Sequence, residues 1–263
     1  MERVEAAVMR RLVGGAPADV RARFGATAIG LAGGVCTALR HDPSGYWSKA
    51  VGLGIDEPVT VDLVKEVVAF YETYGGATAT FQIAPWALPG DWADIVAEHG
   101  LEQGHPWVKL ARPAELPVVP ASTTLRVGAV DRADLGEWAH VLLAGFGMPH
   151  DLDPLFATTD DDAFTQVAAW DGDRMVAAAS VFVDGGAAQM SGASTLPSHR
   201  GRGLQSTLIA LRLQAAQAAG VAVLSAETSV ESPGTHNESL ANLRRAGFTD
   251  LYERANWTWR RRG

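Results

Sequence analysis

The chain has 263 residues, 47% of them hydrophobic, and a formal net charge of −8. That length suits two ordinary cores better than one, and the acidic surplus, present in both halves, excludes a basic nucleic-acid surface. A single cysteine, Cys36, permits no internal disulfide, and neither a signal-peptide core nor a run of eighteen apolar residues occurs, so a soluble cytoplasmic protein with no membrane partner is expected.

Residues 2–12 read as a short helix striped by Val4, Val8 and Leu12. Residues 28–39 read as one strand, with a bulge at Gly33-Gly34. A turn over 41–45 leads to a strand over 46–53, which Asp56-Glu57-Pro58 breaks. Thr60 is placed to cap a helix over 61–74, with Asp62 in its first turn and Gly75-Gly76 at its end. A strand over 77–83, a loop marked by Pro85 and Pro89, a helix over 92–99 capped by Asp91, and a final strand over 107–110 complete this half. The run from Arg112 to Pro120 is a linker by composition. The expected division is a first domain over 1–116, a linker over 117–121 and a second domain over 122–263.

The second half opens with a strand over 125–130 and a helix over 131–143, interrupted by residues 145–150. An acidic, aromatic-bearing region continues over 151–156 and 160–164. Three strands follow, over 164–170, 174–183 and 187–195, joined by the hairpin signals Asp171-Gly172-Asp173 and Asp184-Gly185-Gly186. Next comes the stretch on which the functional reading turns: Arg200, Gly201, Arg202 and Gly203 precede a helix. Its Leu204, Leu208, Leu211, Ala215 and Ala218 recur at helical spacing. Glycines admit an anion close to the backbone, the helix start offers unpaired N–H groups, and the arginines add charge. The pattern reads as a diphosphate-binding turn, or else as a solvated one. It lacks the Gly-Lys-Ser/Thr ending of a nucleoside-triphosphate loop and the spacing of a dinucleotide fingerprint. A strand over 221–228, a helix capped by Thr235 or Asn237 and ended by Gly247, and a closing strand over 251–260 finish the chain.

The segment Arg200-Gly201-Arg202-Gly203-Leu204-Gln205 resembles the acyl-coenzyme A signature of the GNAT acetyltransferases, Arg/Gln-x-x-Gly-x-Gly/Ala. Gln205 departs from the small last residue. The run from Ser239 to Phe248 is similar to that family's coenzyme-side helix with its Gly-Phe ending. The resemblance implies an α/β fold of two tandem GNAT-like domains, each a mixed, mostly antiparallel twisted sheet flanked by helices. It implies that the strand Ala193-Ser194-Thr195 pairs with the pantetheine arm and polarises the thioester. It also implies that Gly201 to Gln205 hold the diphosphate of acetyl-CoA, and that Ser239 and Asn242 face the coenzyme. The first domain matches only in element order. Its corresponding turn carries Asp56 and Glu57 where a diphosphate needs N–H groups and positive charge, so it reads as a degenerate copy, structural or shaping a substrate cleft.

The activity so implied is acetyl transfer from acetyl-CoA to a primary amine of a small molecule or peptide, by direct attack in a ternary complex. The alternative is a noncatalytic coenzyme A-binding or sensing protein. The family's proton-donating tyrosine falls on Leu243, which cannot donate, and Tyr252 is a distant substitute. Glu227, at the end of a strand, is the acidic candidate for the base. His236 is a formal candidate beside the coenzyme-side helix. Phe146, Met148, His150, Asp151 and Asp153 are acceptor-side candidates. Seven histidines and one cysteine lie without ligand spacing, so no metal site is expected. The sequence leaves monomer and homodimer both open.

Overall fold

The computed structural model describes residues 1–159 and 161–262. Asp160, the first residue of the acidic stretch over 160–164, lies outside them. The chain forms two compact units, Glu2–Val108 with Tyr252–Gly263, and Lys109–Leu251 with Met1.

The first unit contains α1 (Glu2–Met9), α2 (Ala18–Phe24), β1 (Ala26–Leu31), β2 (Gly34–Leu39), β3 (Lys49–Val51), α3 (Val61–Tyr74), β4 (Thr78–Gln82), α4 (Trp92–His99) and β5 (Glu102–Gln103). Where one bulged strand is expected over 28–39, the chain instead folds back on itself. Ala32 and Gly33 have φ of 45° and 83°, and β1 and β2 pair antiparallel from Ala26–Leu39 to Leu31–Gly34. A Gly-Gly pair flanked by alternating residues is as good a hairpin signal as a bulge signal. The strand expected over 46–53 shrinks to β3, because Tyr46 and Trp47 leave the sheet to stack around the Lys49 ammonium, 3.5 Å from the Tyr46 ring centroid. Helix α3 starts as expected, with Thr60 Oγ1 accepting from the Leu63 amide at 3.2 Å. Asp91 makes no side-chain cap on α4.

The second unit is built on β6 (Trp107–Pro113), β7 (Arg126–Ala129), α5 (Leu135–Phe146), α6 (Asp153–Phe156), β8 (Phe164–Asp171), β9 (Arg174–Asp184), β10 (Ala187–Thr195), α7 (Leu204–Ala218), β11 (Val223–Ser229), α8 (Glu238–Arg245) and β12 (Thr249–Arg254), with the ends of two strands, Trp107 and Val108 of β6 and 252–254 of β12, falling in the first unit. Its seven-stranded sheet runs β12-β6-β11-β10-β9-β8-β7. The expected closing strand over 251–260 is two strands broken at Ala255. The second, β13 (Asn256–Arg260), joins the six-stranded sheet of the first unit, ordered β1-β2-β3-β4-β13-β5, where it pairs antiparallel with β4. The strand over 107–110, expected to finish the first domain, belongs instead to the seven-stranded sheet. Each sheet thus takes an interior strand, β13 in one and β6 in the other, that contiguous boundaries at 116 and 122 do not give it.

Local pairing explains where β13 goes. Trp257 and Trp259 turn toward the first unit's core, Trp259 stacking on Tyr71 and Trp257 meeting Trp92 edge-on. Arg254, 1% exposed, binds Glu2 and Glu5 at 2.6 and 2.8 Å in the same unit. Buried charge of this kind is tolerated because it is paired and hydrogen-bonded.

Among the described residues, no helix is long and apolar enough to cross a membrane. Cys36 is fully buried in the first unit's core, and burial pushes its thiol up to about 12. Folded protein at pH 8 should therefore resist an aromatic disulfide reagent, because the thiolate is the nucleophile. The same reagent should find one thiol per chain in guanidinium, read by released thiolate absorbance.

Candidate functional site

The chain leaves β10 at Thr195, makes a 3-10 turn over Pro197–His199 and enters α7 through Arg200 to Gly203. Gly201 and Gly203 both have φ of 74°, a conformation L side chains rarely adopt. A Cβ on Gly203 would lie 2.8 Å from the Ser122 carbonyl oxygen, whereas Gly201 faces open space. Gly203 is the N-cap of α7 and no side chain caps it. The amides of Leu204, Gln205 and Ser206 have no partner within the helix by geometry. No hydrogen bond occupies them, or the amides of Gly201, Arg202 and Gly203, among the described residues. This is a solvent-facing run of donors at the positive end of a long helix.

The two arginines differ. Arg202 reaches Asp171 at 3.2 Å, and His199 reaches the same oxygen at 3.2 Å. The His199 hydrogen bond, followed by that of Arg202, holds the Asp171 carboxyl below its usual range. Arg200 bonds only to carbonyls, Thr195 at 3.3 Å and Gly145 at 3.2 Å, so its charge meets no carboxylate in those contacts. Gln205, the departure from the expected small residue, donates to Thr195 Oγ1 at 2.8 Å. Its side chain is tied to β10, and its amide remains unoccupied.

Adjacent residues of β10 face opposite ways, as strand geometry requires. Ser194 is buried, donates to the Val141 carbonyl of α5 at 3.1 Å, and sits so close to Gly145 that a Cβ there would collide with it. Thr195 meets Gln205 of α7. Ser194 and Ala193 thus have only backbone groups to offer a ligand along this edge. The parallel ladder between β10 and β11 covers only Ala187–Val223, Ala188–Leu224 and Gln189–Ser225. Beyond Gln189, β10 follows β9 through a bulge at Gly192, whose φ is 54°, and is no longer paired with β11.

The α7 stripe is wider than its leucines suggest. Leu204 and Leu208 are buried as expected, but Leu211 and Ala215 are half-buried and Ala218 is exposed. Arg212, Leu213 and Ala216 are buried in their place. Arg212 donates to the Ser180 and Leu208 carbonyls at 3.3 and 3.2 Å, and burial lowers its guanidinium to about 10.

Helix α8 is capped by Asn237, whose side chain accepts from the Ser239 and Leu240 amides. Ser239 is exposed. Asn242 accepts from Arg245 at 2.6 Å and, at 3.5 Å, from Ser206 of α7, so it lies beside the helix that starts at the glycine turn. Leu243 is buried. Glu227 lies on β11 beyond the end of the ladder and is paired with Lys109 of β6 at 3.2 Å. Tyr252, the distant candidate, makes its contact elsewhere in the chain. It belongs to the first unit, donates to Glu2 at 2.8 Å, and burial, reinforced by the Glu2 carboxylate, pushes its phenol up. His236 is exposed between Glu231 and Glu238.

The acceptor-side candidates lie on the segment leaving α5. Phe146 is 52% exposed, Met148 is half-buried and Asp151 is exposed. His150 and Asp153 draw together with His140 of α5, a residue the sequence pattern does not single out. Its signal, three ligand-type residues within fourteen positions, becomes visible only once the chain reverses after Gly147 (φ 69°).

The acetyltransferase (GNAT) family model matches residues 135–248, which run from the first residue of α5 to the end of the coenzyme-side segment. Residues 135–248 form a GNAT-family domain. Across the whole chain, the fold is that of tandem GNAT-like domains. The chain is similar to a GCN5-related N-acetyltransferase from Kribbella flavida (18% identity, all of this chain and 96% of that one, TM-score 0.65). It is also similar to one from Sphaerobacter thermophilus (16%, 100% and 92%, 0.59) and to a tandem GNAT protein from the clavulanic acid biosynthesis pathway (15%, 89% and 81%, 0.57). No curated protein sequence matches significantly. The family match does not reach the first unit, in keeping with a degenerate first copy of the GNAT domain.

The glycine turn of the GNAT domain gives a graded test. Gly201→Ala should cost about 1–2 kcal/mol for its left-handed backbone alone. Gly203→Ala should cost more, because the Ser122 carbonyl must also move. Urea unfolding of the two variants checks the order.

Proposed function

We propose that this chain is an N-acyltransferase that moves the acetyl group of acetyl-CoA to a primary amine of a small molecule or peptide, by direct attack in a ternary complex. The observation that carries the reading is the unoccupied run of amides from Gly201 to Ser206 beside strands that part after Gln189 and Ser225. A diphosphate is the anion such a run suits, since N–H groups, helix pole and glycine access act on the same spot. Arg200 supplies charge there, and Arg202, shared with Asp171, supplies less.

The parted edge of β10 fits the amide-bearing arm of the thioester substrate. Ser194 Oγ is committed to α5, so backbone N–H groups of Ala193 to Thr195 would bind the arm and stabilise the oxyanion. Acetyl-CoA supplies the activated carbonyl; the chain holds it and admits the amine. A neutral amine is required, and Glu227, directly or through water, is the proton acceptor of this proposal, with Lys109 setting its charge balance. Leu243 offers no proton to the departing sulfur. A thiol of ordinary pKa, about 8.5, leaves tolerably as thiolate near neutral pH. Asp151 and exposed Phe146 would suit a cationic acceptor with an apolar portion.

Two features favour the second reading, a coenzyme A-binding protein without turnover. These are Leu243 at the donor position and the Lys109–Glu227 pairing. Calorimetric titration with coenzyme A, followed by turnover on a panel of amines, amino acids and peptides, separates the two. Binding with turnover supports the transferase, binding alone supports the second reading, and no binding removes both. Arg200→Ala should weaken coenzyme A binding about tenfold, roughly 1.4 kcal/mol, and Arg202→Ala should weaken it less. Glu227→Gln should lower kcat about 100-fold with coenzyme A affinity unchanged, and an unaltered kcat would exclude Glu227 from the chemistry.

A further inference from the structure

His140, His150 and Asp153 form a cluster that the transfer chemistry above does not use. His140 lies on α5, His150 on the 3-10 turn that follows, and Asp153 opens α6. The two imidazoles stack with centroids 3.9 Å apart and planes 16° from parallel. Stacking turns both Nδ1 edges toward one carboxylate. His140 Nδ1 is 2.9 Å from Asp153 Oδ2, and His150 Nδ1 is 3.6 Å from Asp153 Oδ1.

We propose that His140, His150 and Asp153 bind a divalent transition-metal ion of the zinc type through the two Nδ1 atoms and the Asp153 carboxylate. The donor atoms lie within 4.8 Å of one another. In a tetrahedral zinc shell with bonds of about 2.0–2.1 Å, donors sit roughly 3.3 Å apart. The two measured separations, one to each Asp153 oxygen, fall on either side of that value. Because an imidazole lone pair lies in its ring plane, one of the two half-exposed rings turns out of the stack to seat the ion. A second observation points the same way. Asp153 Oδ1 is shielded from solvent and accepts no hydrogen bond within normal distance. A buried carboxylate oxygen without a donor is costly, and a cation would satisfy it.

The donor chemistry selects the ion. Two imidazoles with one carboxylate suit zinc, nickel, cobalt or copper, whereas magnesium and calcium prefer all-oxygen shells. The imidazoles are half-exposed, with side-chain exposures of 54% and 50%. Three protein ligands leave a position open to water or a small ligand, as in sites that exchange their fourth partner. The proposal does not depend on the transferase reading, since its readout is metal binding and not turnover.

The test is a Zn²⁺ titration of the full chain by calorimetry, paired with Co²⁺ and the visible absorption that coordinated cobalt gives. One saturable site is expected in the unaltered protein. His140→Ala, His150→Ala and Asp153→Asn should each weaken it about tenfold or more and abolish the cobalt band. His236→Ala, at the other surface histidine flanked by carboxylates, should change neither. The exposed histidines make loss of fold an unlikely confound, and far-ultraviolet circular dichroism checks it. Absence of a saturable site, or equal affinity in the three variants, overturns the proposal.

Discussion

The second unit is built around the parting of two parallel strands. β10 and β11 hold together for three residue pairs and then separate. Leaving a ladder exposes backbone donors and acceptors, so a sheet opens only where something fixes the opening. Here the last pair, Gln189 and Ser225, is locked by a buried side-chain hydrogen bond. Immediately beyond it, Gly192 bulges β10 away, Ser180 Oγ donates to the Ser191 carbonyl at 2.5 Å, and Arg212 takes the Ser180 carbonyl. A fully buried guanidinium is an expensive way to satisfy a carbonyl. Its bonds to Ser180 of β9 and to Leu208 of its own helix tie α7 to the sheet opposite the bulge. The helix that carries Arg212 is the one whose start carries the free amides. The sheet next to the opening and the turn of unoccupied amides are therefore joined by one element.

The first unit shows what happens when the same layout is closed. Its strand-turn-helix runs from β3 through Gly54 to Thr60 into α3. The helix start is capped by Thr60, the Ile55 and Asp56 amides are taken by the Ala32 carbonyl, and Asp56 holds Arg3 at 2.6 Å. Three of the donors around this turn, the Ile55, Asp56 and Leu63 amides, are taken, and the Asp56 and Glu57 carboxylates oppose an anion there.

Much of this was legible in the sequence where local chemistry decides. Thr60, Gly203 and Asn237 mark helix starts because each bears on amides within three residues of itself, and two of the three bear a side-chain cap. The glycine turn before α7 was readable for the same reason. Long-range pairing was not readable. Nothing in residues 256–260 says which sheet they enter, because aromatic strands pack on either core, and the answer comes from Tyr71, Trp92 and β4 far upstream. Nor could helical spacing choose Arg212 over Leu211 as the buried residue, since Arg212 is satisfied by the Ser180 carbonyl of a strand 32 positions away. Glu227 was legible as an acid at a strand end, but its partner Lys109 lies 118 positions away.

The segment leaving α5 ties these threads together. Arg200, the turn's less compensated cation, anchors to the Gly145 carbonyl, and Gly145 packs against Ser194 too closely for any Cβ. The start of the segment leaving α5 is therefore fixed to both the glycine turn and the end of β10. Past Gly147 the chain reverses, and this reversal brings His150 and Asp153 back beneath His140. A loop pinned at one end by the coenzyme-side elements and gathered at the other by two imidazoles and a carboxylate has little freedom between them. Phe146, Met148 and Asp151 are displayed from that constrained stretch. The exposure of Phe146 and Asp151 is thus a property of a held surface, and fixed geometry is the condition under which a few side chains can discriminate among ligands.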